Sequence, residues 1–141
     1  MDKPVTPRLC TDCIAVDAKG RVLLIKRGHP PFVGRYALPG GFVDIGETVE
    51  AASRRELMEE TGVKAGKLHL VGVYSDPKRD PRFHSAAVAF LTRVRSPNVV
   101  AGDDAAAAEW IEDWRKVDLA FDHNIILRDA MRLLEKLLAG R

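Results

Sequence analysis

Between Gly41 and Val63 the chain reads GFVDIGETVEAASRRELMEETGV, a spacing of acidic, basic and glycine residues suited to divalent-metal and phosphate chemistry. If Thr48 to Thr61 is helical, Glu56, Glu59 and Glu60 stand at i, i+3 and i+4 and share one face, where like charges repel by roughly a few tenths of a kcal/mol per pair. An ordinary surface helix gains nothing from that repulsion. A hard cation such as Mg²⁺ or Mn²⁺ does gain, because it takes carboxylate oxygens and keeps waters for a phosphate-bearing substrate. Arg55 lies four residues before Glu59, and Arg54 four after Glu50, so the arginines can neutralise and orient part of this face. Gly40, Gly41 and Gly46 let the backbone approach an ion closely, and Gly62 reads as the helix stop. A solvated amphipathic helix accounts for any one of these glutamates alone, but not for the whole set behind the glycines.

The defined positions Gly41, Glu47, Arg55, Glu56, Leu57, Glu59, Glu60, Gly62 and Val63 match the Nudix signature G-x5-E-x7-R-E-U-x-E-E-x-G-U, and the chain resembles that hydrolase family. The resemblance implies Glu56, Glu59 and Glu60 as metal ligands, with the carbonyl of Gly40 or Gly41 as a further one. It implies Glu47 as support for the metal shell and Arg55 as the residue that orients the glutamates. The general base falls either to one of these glutamates or to a later acidic residue, Asp103, Asp104 or Glu109. Relatives often carry an acid two or three residues before the tryptophan of that later strand, where this chain has Ala107 and Ala108 ahead of Glu109 and Trp110. Asp103 and Asp104 are equally readable as polar residues of a Gly-Asp turn.

Substrate choice must come from elsewhere. The stretch Ser75-Asp-Pro-Lys-Arg-Asp-Pro-Arg82 is similar to the SDPxRDPR segment of bacterial and archaeal ADP-ribose pyrophosphatases, and Arg27 with the run Pro30 to Gly41 fits the same subgroup. Arg27, Arg79 and Arg82 have the chemistry to grip phosphate oxygens, and Phe32, Tyr74 or Phe83 the area to stack on a base. The resemblance implies hydrolysis of ADP-ribose, or a related nucleoside diphosphate, to AMP and ribose 5-phosphate with Mg²⁺ (or Mn²⁺). A house-cleaning pyrophosphatase of nucleoside triphosphates and a non-catalytic ADP-ribose sensor are the alternatives. The SQPWPFPxS array of NADH-hydrolysing relatives is absent.

The elements that must position these residues follow from pattern. Leu9 to Val16 and Val22 to Lys26 read as strands joined by a turn at Asp17 to Gly20. Pro39 argues against a central strand in the lead-in to the glycines. His69 to Ser75, His84 to Val94 and Glu109 to Glu112 read as further strands. Asp122 is placed to cap a last helix whose Ile126, Ala130, Leu133, Leu134 and Leu137 form an apolar stripe. Strands around two helices predict a mixed sheet covered on both faces, and the resemblance implies an α/β/α sandwich.

With 141 residues, 46% of them hydrophobic, the chain fits one domain with a real core. A net charge of +2 and no long block of like charge argue against a nucleic-acid partner, despite the basic cluster of Lys78, Arg79 and Arg82. No apolar run reaches membrane-spanning length and the first residues lack the apolar core of a signal peptide, so cytoplasmic residence is the expectation. Relatives of this kind are often dimers, so the resemblance allows a homodimer, while the sequence itself shows no self-complementary surface. Cys10 and Cys13 are spaced as a CxxC, but three apart on a strand they point to opposite faces, which predicts two plain thiols rather than a redox or zinc pair. His29, His69, His84 and His123 show no shared metal spacing. Trp110 and Trp114 read as core and rim packing.

Overall fold

The computed structural model describes residues 4–95 and 105–140, and its first two strands are β1 (Arg8–Val16) and β2 (Val22–Arg27). Asp17 builds the turn between them. Its carboxylate accepts from the Lys19 and Arg21 amides at 3.0 and 2.8 Å and from Arg21 Nε at 2.6 Å, while Gly20 takes φ +80°. Burial opposes ionisation of Asp17, but these hydrogen bonds prevail and hold its carboxyl below the usual range.

The run before the glycines forms two short strands, β3 (Tyr36–Ala37) and β4 (Gly40–Phe42), where the sequence suggested only a lead-in. Pro39 falls in the gap between them, so its missing N–H costs no ladder bond, and its carbonyl still accepts from Cys13 N at 2.8 Å. Helix α1 (Val49–Thr61) starts at Thr48, whose hydroxyl accepts from Ala51 N at 3.1 Å, and stops at Gly62, which adopts φ +71°. Then follow β5 (His69–Tyr74), β6 (Ser85–Arg93), β7 (Ala105–Ile111), a single 3₁₀ turn at Trp114–Lys116 and α2 (His123–Ala139). β7 starts earlier than the expected Glu109: its alanines carry little strand preference, and pairing with β2 from Val22 to Arg27 overrides that deficit.

The sheet order is β3-β2-β1-β6-β5, with β4 also on β1 and β7 also on β2. β1 and β6 run parallel and the other pairs antiparallel, so the sheet is mixed. Strand alternation divides the core. Ile14, Val16, Val22, Leu24 and Leu91 pack with Ile126, Leu127 and Ala130 of α2, while Cys13, Ala15 and Leu23 pack with Leu57 of α1 and Val63 beyond it. Each fully buried Leu or Ile here contributes roughly 1.5–3 kcal/mol. The result is the α/β/α sandwich with a mixed sheet. Trp110 packs against the α1-side core and Trp114 against the α2-side core.

Cys10 and Cys13 are both free. Burial pushes the Cys10 thiol up to about 12 and the Cys13 thiol up to about 11, and Cys13 is sealed in the α1-side core. Among the described residues no helix is long and apolar enough to cross a membrane.

Candidate active site

A cavity of about 570 Å³ opens where β4, the cleft end of β1, α1, the 75–84 loop and the entry to α2 converge. Glu56, Glu59 and Glu60 lie on its lining with Gly40 and Gly41; so do Arg27, Arg79 and Arg82.

On the carboxylate side, Arg55 is the hub. Its Nε and Nη2 donate to the two Glu47 oxygens at 2.7 and 2.9 Å, Nη1 donates to Glu56 at 2.9 Å and Glu59 at 3.2 Å, and Nη2 also reaches the Phe42 carbonyl at 3.1 Å. The fork geometry of the guanidinium lets one side chain fix three carboxylates. Hydrogen bonding to Arg55, and to the Asp44 amide, holds Glu47 down to about 2. Glu60 is placed differently: its Oε1 accepts from Gly40 N at 3.0 Å. Burial pushes the Glu60 carboxyl up to about 8, with the Gly40 N–H opposing and the neighbouring Glu56 adding to the rise. A Cβ at Gly41 would come within 2.6 Å of the Glu56 carboxyl, so a larger residue there would displace that carboxyl from its place against β4.

The donor set is all oxygen, charged and cradled against glycine backbone, which fits a hard divalent cation. Among the described residues no group of three or more His, Cys, Asp or Glu closes on one point as a finished cage. The glutamates instead line a wall, an arrangement suited to a cation that keeps waters and takes further oxygens from a phosphate.

The arginine side is assembled from distant segments. Arg27 donates from Nε to the Pro31 carbonyl at 2.6 Å and from Nη2 to the His29 carbonyl at 3.4 Å. Burial and the nearby Arg82 charge both lower its pKa, as for a cation that would be relieved by an anion. Arg82 pairs with Asp80 at 2.8 Å and remains 41% exposed. Both guanidiniums approach the Phe121 ring, with Arg27 at 5.0 Å and Arg82 at 5.9 Å from its centroid. Arg79 is committed inward. It donates to both Asp122 oxygens at 2.9 and 2.7 Å and to Ser85 Oγ at 2.8 Å, lies 3.7 Å from Asp12, and its side chain is only 4% exposed. Asp122, expected to cap α2, makes no side-chain cap bond because its carboxylate is taken by Arg79.

None of the three aromatic candidates is brought to the lining. Tyr74 donates its hydroxyl to Asp129 at 2.7 Å and packs against the α2-side core, and Phe32 meets Phe121 edge-on at 5.0 Å. Phe83 stacks loosely on Phe42 at 5.9 Å, with Arg8 over its ring at 4.5 Å. Glu109 accepts from the Tyr36 hydroxyl at 3.0 Å on β7, away from the lining, and Asp103 and Asp104 lie outside the described residues. His84 closes its own loop against the Ser75 carbonyl at 3.0 Å.

Asp12, Phe121 and His123 line the cavity without having been singled out for it by the sequence reading. One local signal was available: an aspartate inside the apolar β1 run has no packing reason to be there. Phe121 carried none, since its φ of +53° arises from tertiary anchoring of the preceding residues, through Ala120 N to the Tyr36 carbonyl at 2.8 Å and Tyr36 N to the Asp118 carbonyl at 3.0 Å.

A family model described as the NUDIX domain matches residues 6–134, most of the chain. The chain belongs to the Nudix family. That family is typically divalent-metal dependent. The chain is 47% identical over 126 residues to an ADP-ribose pyrophosphatase of Methanocaldococcus jannaschii, covering 89% of this chain and 74% of the relative. It is 34% identical over 119 residues to the ADPR responsive transcriptional repressor NtrR of Acinetobacter baylyi, covering 81% of this chain but only 48% of that longer protein. Among solved structures, the NUDIX domain of Shewanella oneidensis NrtR complexed with ADP ribose superposes with a TM-score of 0.86 at 26% identity, covering 92% of this Nudix chain and 90% of the other.

Proposed function

We propose that this Nudix chain hydrolyses the diphosphate bond of ADP-ribose, releasing AMP and ribose 5-phosphate, with Mg²⁺ as the working cation and Mn²⁺ able to replace it. The observation that carries the reading is the meeting, in one cleft, of a glutamate wall with two arginines set around an aromatic ring. The similarity to an archaeal ADP-ribose pyrophosphatase over 89% of the chain supports the choice of substrate.

Glu56, Glu59 and Glu60 would hold the cation, joined by the Gly41 backbone. When bound, a divalent cation supplies charge neutralisation on diphosphate oxygens and lowers the pKa of a water. Arg55 positions Glu47, Glu56 and Glu59 through the bonds described above and keeps their mutual repulsion in check. Arg27 and Arg82 grip phosphate oxygens and steer the anion between themselves and the glutamates. Arg79 acts one layer behind, tying the 75–84 loop to α2 so that Arg82 is held at the cleft. The general base belongs to the glutamate wall, which faces the cleft, whereas Glu109 is spent on Tyr36.

The test is incubation of purified protein with ADP-ribose and Mg²⁺, with chromatography of the products. Equal amounts of AMP and ribose 5-phosphate, abolished by a chelator, are expected; an intact ligand, or faster pyrophosphate release from nucleoside triphosphates, would overturn the assignment. The likeness to an ADPR responsive repressor favours one other reading, ligand sensing without turnover. Tight ADP-ribose binding with no product in excess Mg²⁺ would establish that reading instead.

A further inference from the structure

Behind β4 lies a pair of buried polar side chains that the proposed hydrolysis does not use. His123 accepts a hydrogen bond at Nδ1 from the Leu38 amide at 3.0 Å, and burial lowers its pKa, so the ring is neutral with its proton on Nε2. That Nε2–H stands 3.6 Å from Asp12 Oδ1, beyond a direct hydrogen bond. Asp12 itself is 7% exposed and its Oδ2 has no hydrogen-bond partner, although Arg79 lies at 3.7 Å and keeps a positive charge beside it. Both residues line the cavity.

Asp12 Oδ2 is the sealed oxygen on the Arg79 side, whereas Asp12 Oδ1 and His123 Nε2–H face each other too far apart to satisfy one another, so both can bond a ligand group in the cavity they line. Gly40 supports the same conclusion from the other side. A Cβ there would come within 2.7 Å of Asp12 Oδ1 and would collide with the Thr11 carbonyl, so glycine keeps the Asp12 oxygen open beside the cleft. The Gly40 amide also donates to Glu60, which puts the pair next to the glutamate wall.

We propose that Asp12 and His123 together form a subsite for one sugar hydroxyl of the ligand, a specificity determinant in the cleft of this enzyme. The hydroxyl donates to Asp12 Oδ1 and accepts from His123 Nε2–H. The two atoms are 3.6 Å apart, so a hydroxyl oxygen on the cavity side, at the apex of a triangle, lies about 2.8 Å from each. A group able to donate and accept at once is required, which a hydroxyl supplies and a hydrogen or methyl does not. The Arg79–Asp122 ion pair fixes the frame, since Asp122 adjoins His123 and Arg79 adjoins Asp12. This inference rests on the proposed function for the choice of ADP-ribose, which carries two riboses that could supply the hydroxyl.

The experiment compares kcat/KM for ADP-ribose with two sets of analogues, one lacking a hydroxyl on the adenosine ribose and one lacking a hydroxyl on the terminal ribose. Wild-type protein, Asp12→Ala and His123→Gln are each assayed, with thermal melts to confirm folding. Wild-type enzyme should reject one analogue by about 100-fold or more, and the set to which it belongs identifies the ribose. Asp12→Ala and His123→Gln should lower kcat/KM for ADP-ribose yet discriminate less than about tenfold. Near-equal rates for all analogues with wild-type enzyme would overturn the subsite; that arm holds even if a variant fails to fold. Undiminished discrimination in folded variants would overturn it as well. If wild-type protein does not cleave ADP-ribose, the proposed function fails on its own. The subsite is then read from ribo and 2′-deoxyribo forms of whichever nucleotide is cleaved, where equal turnover rejects it and a preference lost in Asp12→Ala supports it.

Discussion

The carboxylate side of the cleft takes Glu47, Arg55, Glu56, Glu59 and Glu60 from one loop and one helix, whereas the arginine side takes Arg27, Asp80, Arg82 and Phe121 from three segments far apart in sequence. The first is organised by helical periodicity. Residues three and four apart share a face whatever the rest of the fold does, and Arg55 on the same helix reaches Glu56 and Glu59 as well as Glu47 in the loop before it. The second is organised by the sheet: β2 brings Arg27, the loop between β5 and β6 brings Asp80 and Arg82, and the anchored entry to α2 brings Phe121. Charge alone therefore does not determine which arginines face the ligand. Arg79 and Arg82 are three residues apart in the same loop, yet Arg79 is nearly sealed by Asp122 and Ser85 while Arg82 stays in the cleft.

Breaking the carboxylate side should have the largest effect. Glu60→Gln removes a charge from the metal wall but keeps the Gly40 N–H acceptor, so kcat should fall by about two orders of magnitude or more with the melting temperature nearly unchanged. Steady-state kinetics beside a thermal melt would check it, and a near-wild-type rate would take Glu60 out of the chemistry.

On the arginine side the two loop residues should separate. Arg79→Ala strands Asp122 and Asp12 without their cation and should cost about 3–5 kcal/mol of stability, read by denaturant unfolding. Arg82→Ala, more exposed and paired with a single carboxylate, should leave stability within about 1 kcal/mol. Its signature is a KM for ADP-ribose raised about tenfold, with a smaller change in kcat, and Arg27→Ala should behave likewise. Equal stability losses for Arg79→Ala and Arg82→Ala would erase the contrast between strut and ligand grip.

The smallest expected effect lies in pH. The folded state holds Glu47 down to about 2, below the ordinary value of 4.5, so its contribution is complete above the unfolded pKa and is lost as pH falls toward the folded one. Glu47→Gln should therefore lower stability at neutral pH while leaving stability near pH 2 little changed, which flattens the profile between about pH 4.5 and 2. Unfolding midpoints across that range would show it; an unchanged acid slope would mean that the Arg55 pair persists in the unfolded chain or carries no linkage.

The same contrast explains how much could be read from the residues. Helix α1, its Thr48 start and its Gly62 stop were legible because propensity, capping and charge spacing agree within a single stretch. The strands flanking Asp17 were legible for the same reason. β3 and β4 were not, because they are two and three residues long and exist only through pairing with β2 and β1. Tyr74 offered an aromatic ring and a strand position, and only the packing of α2 against β5 shows its hydroxyl on Asp129. The Asp12–His123 pair depends on a contact more than a hundred residues apart in sequence, and Phe121 on the distant bond between Ala120 and Tyr36, neither of which a local pattern records.

If a diphosphate bridges the two sides of the cleft, a crystal structure of the protein with Mg²⁺ and a non-hydrolysable ADP-ribose analogue will show it. The diphosphate should lie between the Glu56, Glu59 and Glu60 carboxylates and the Arg27 and Arg82 guanidiniums, with Arg79 still on Asp122. A diphosphate bound away from the glutamates, or with Arg27 and Arg82 turned to solvent, would contradict it.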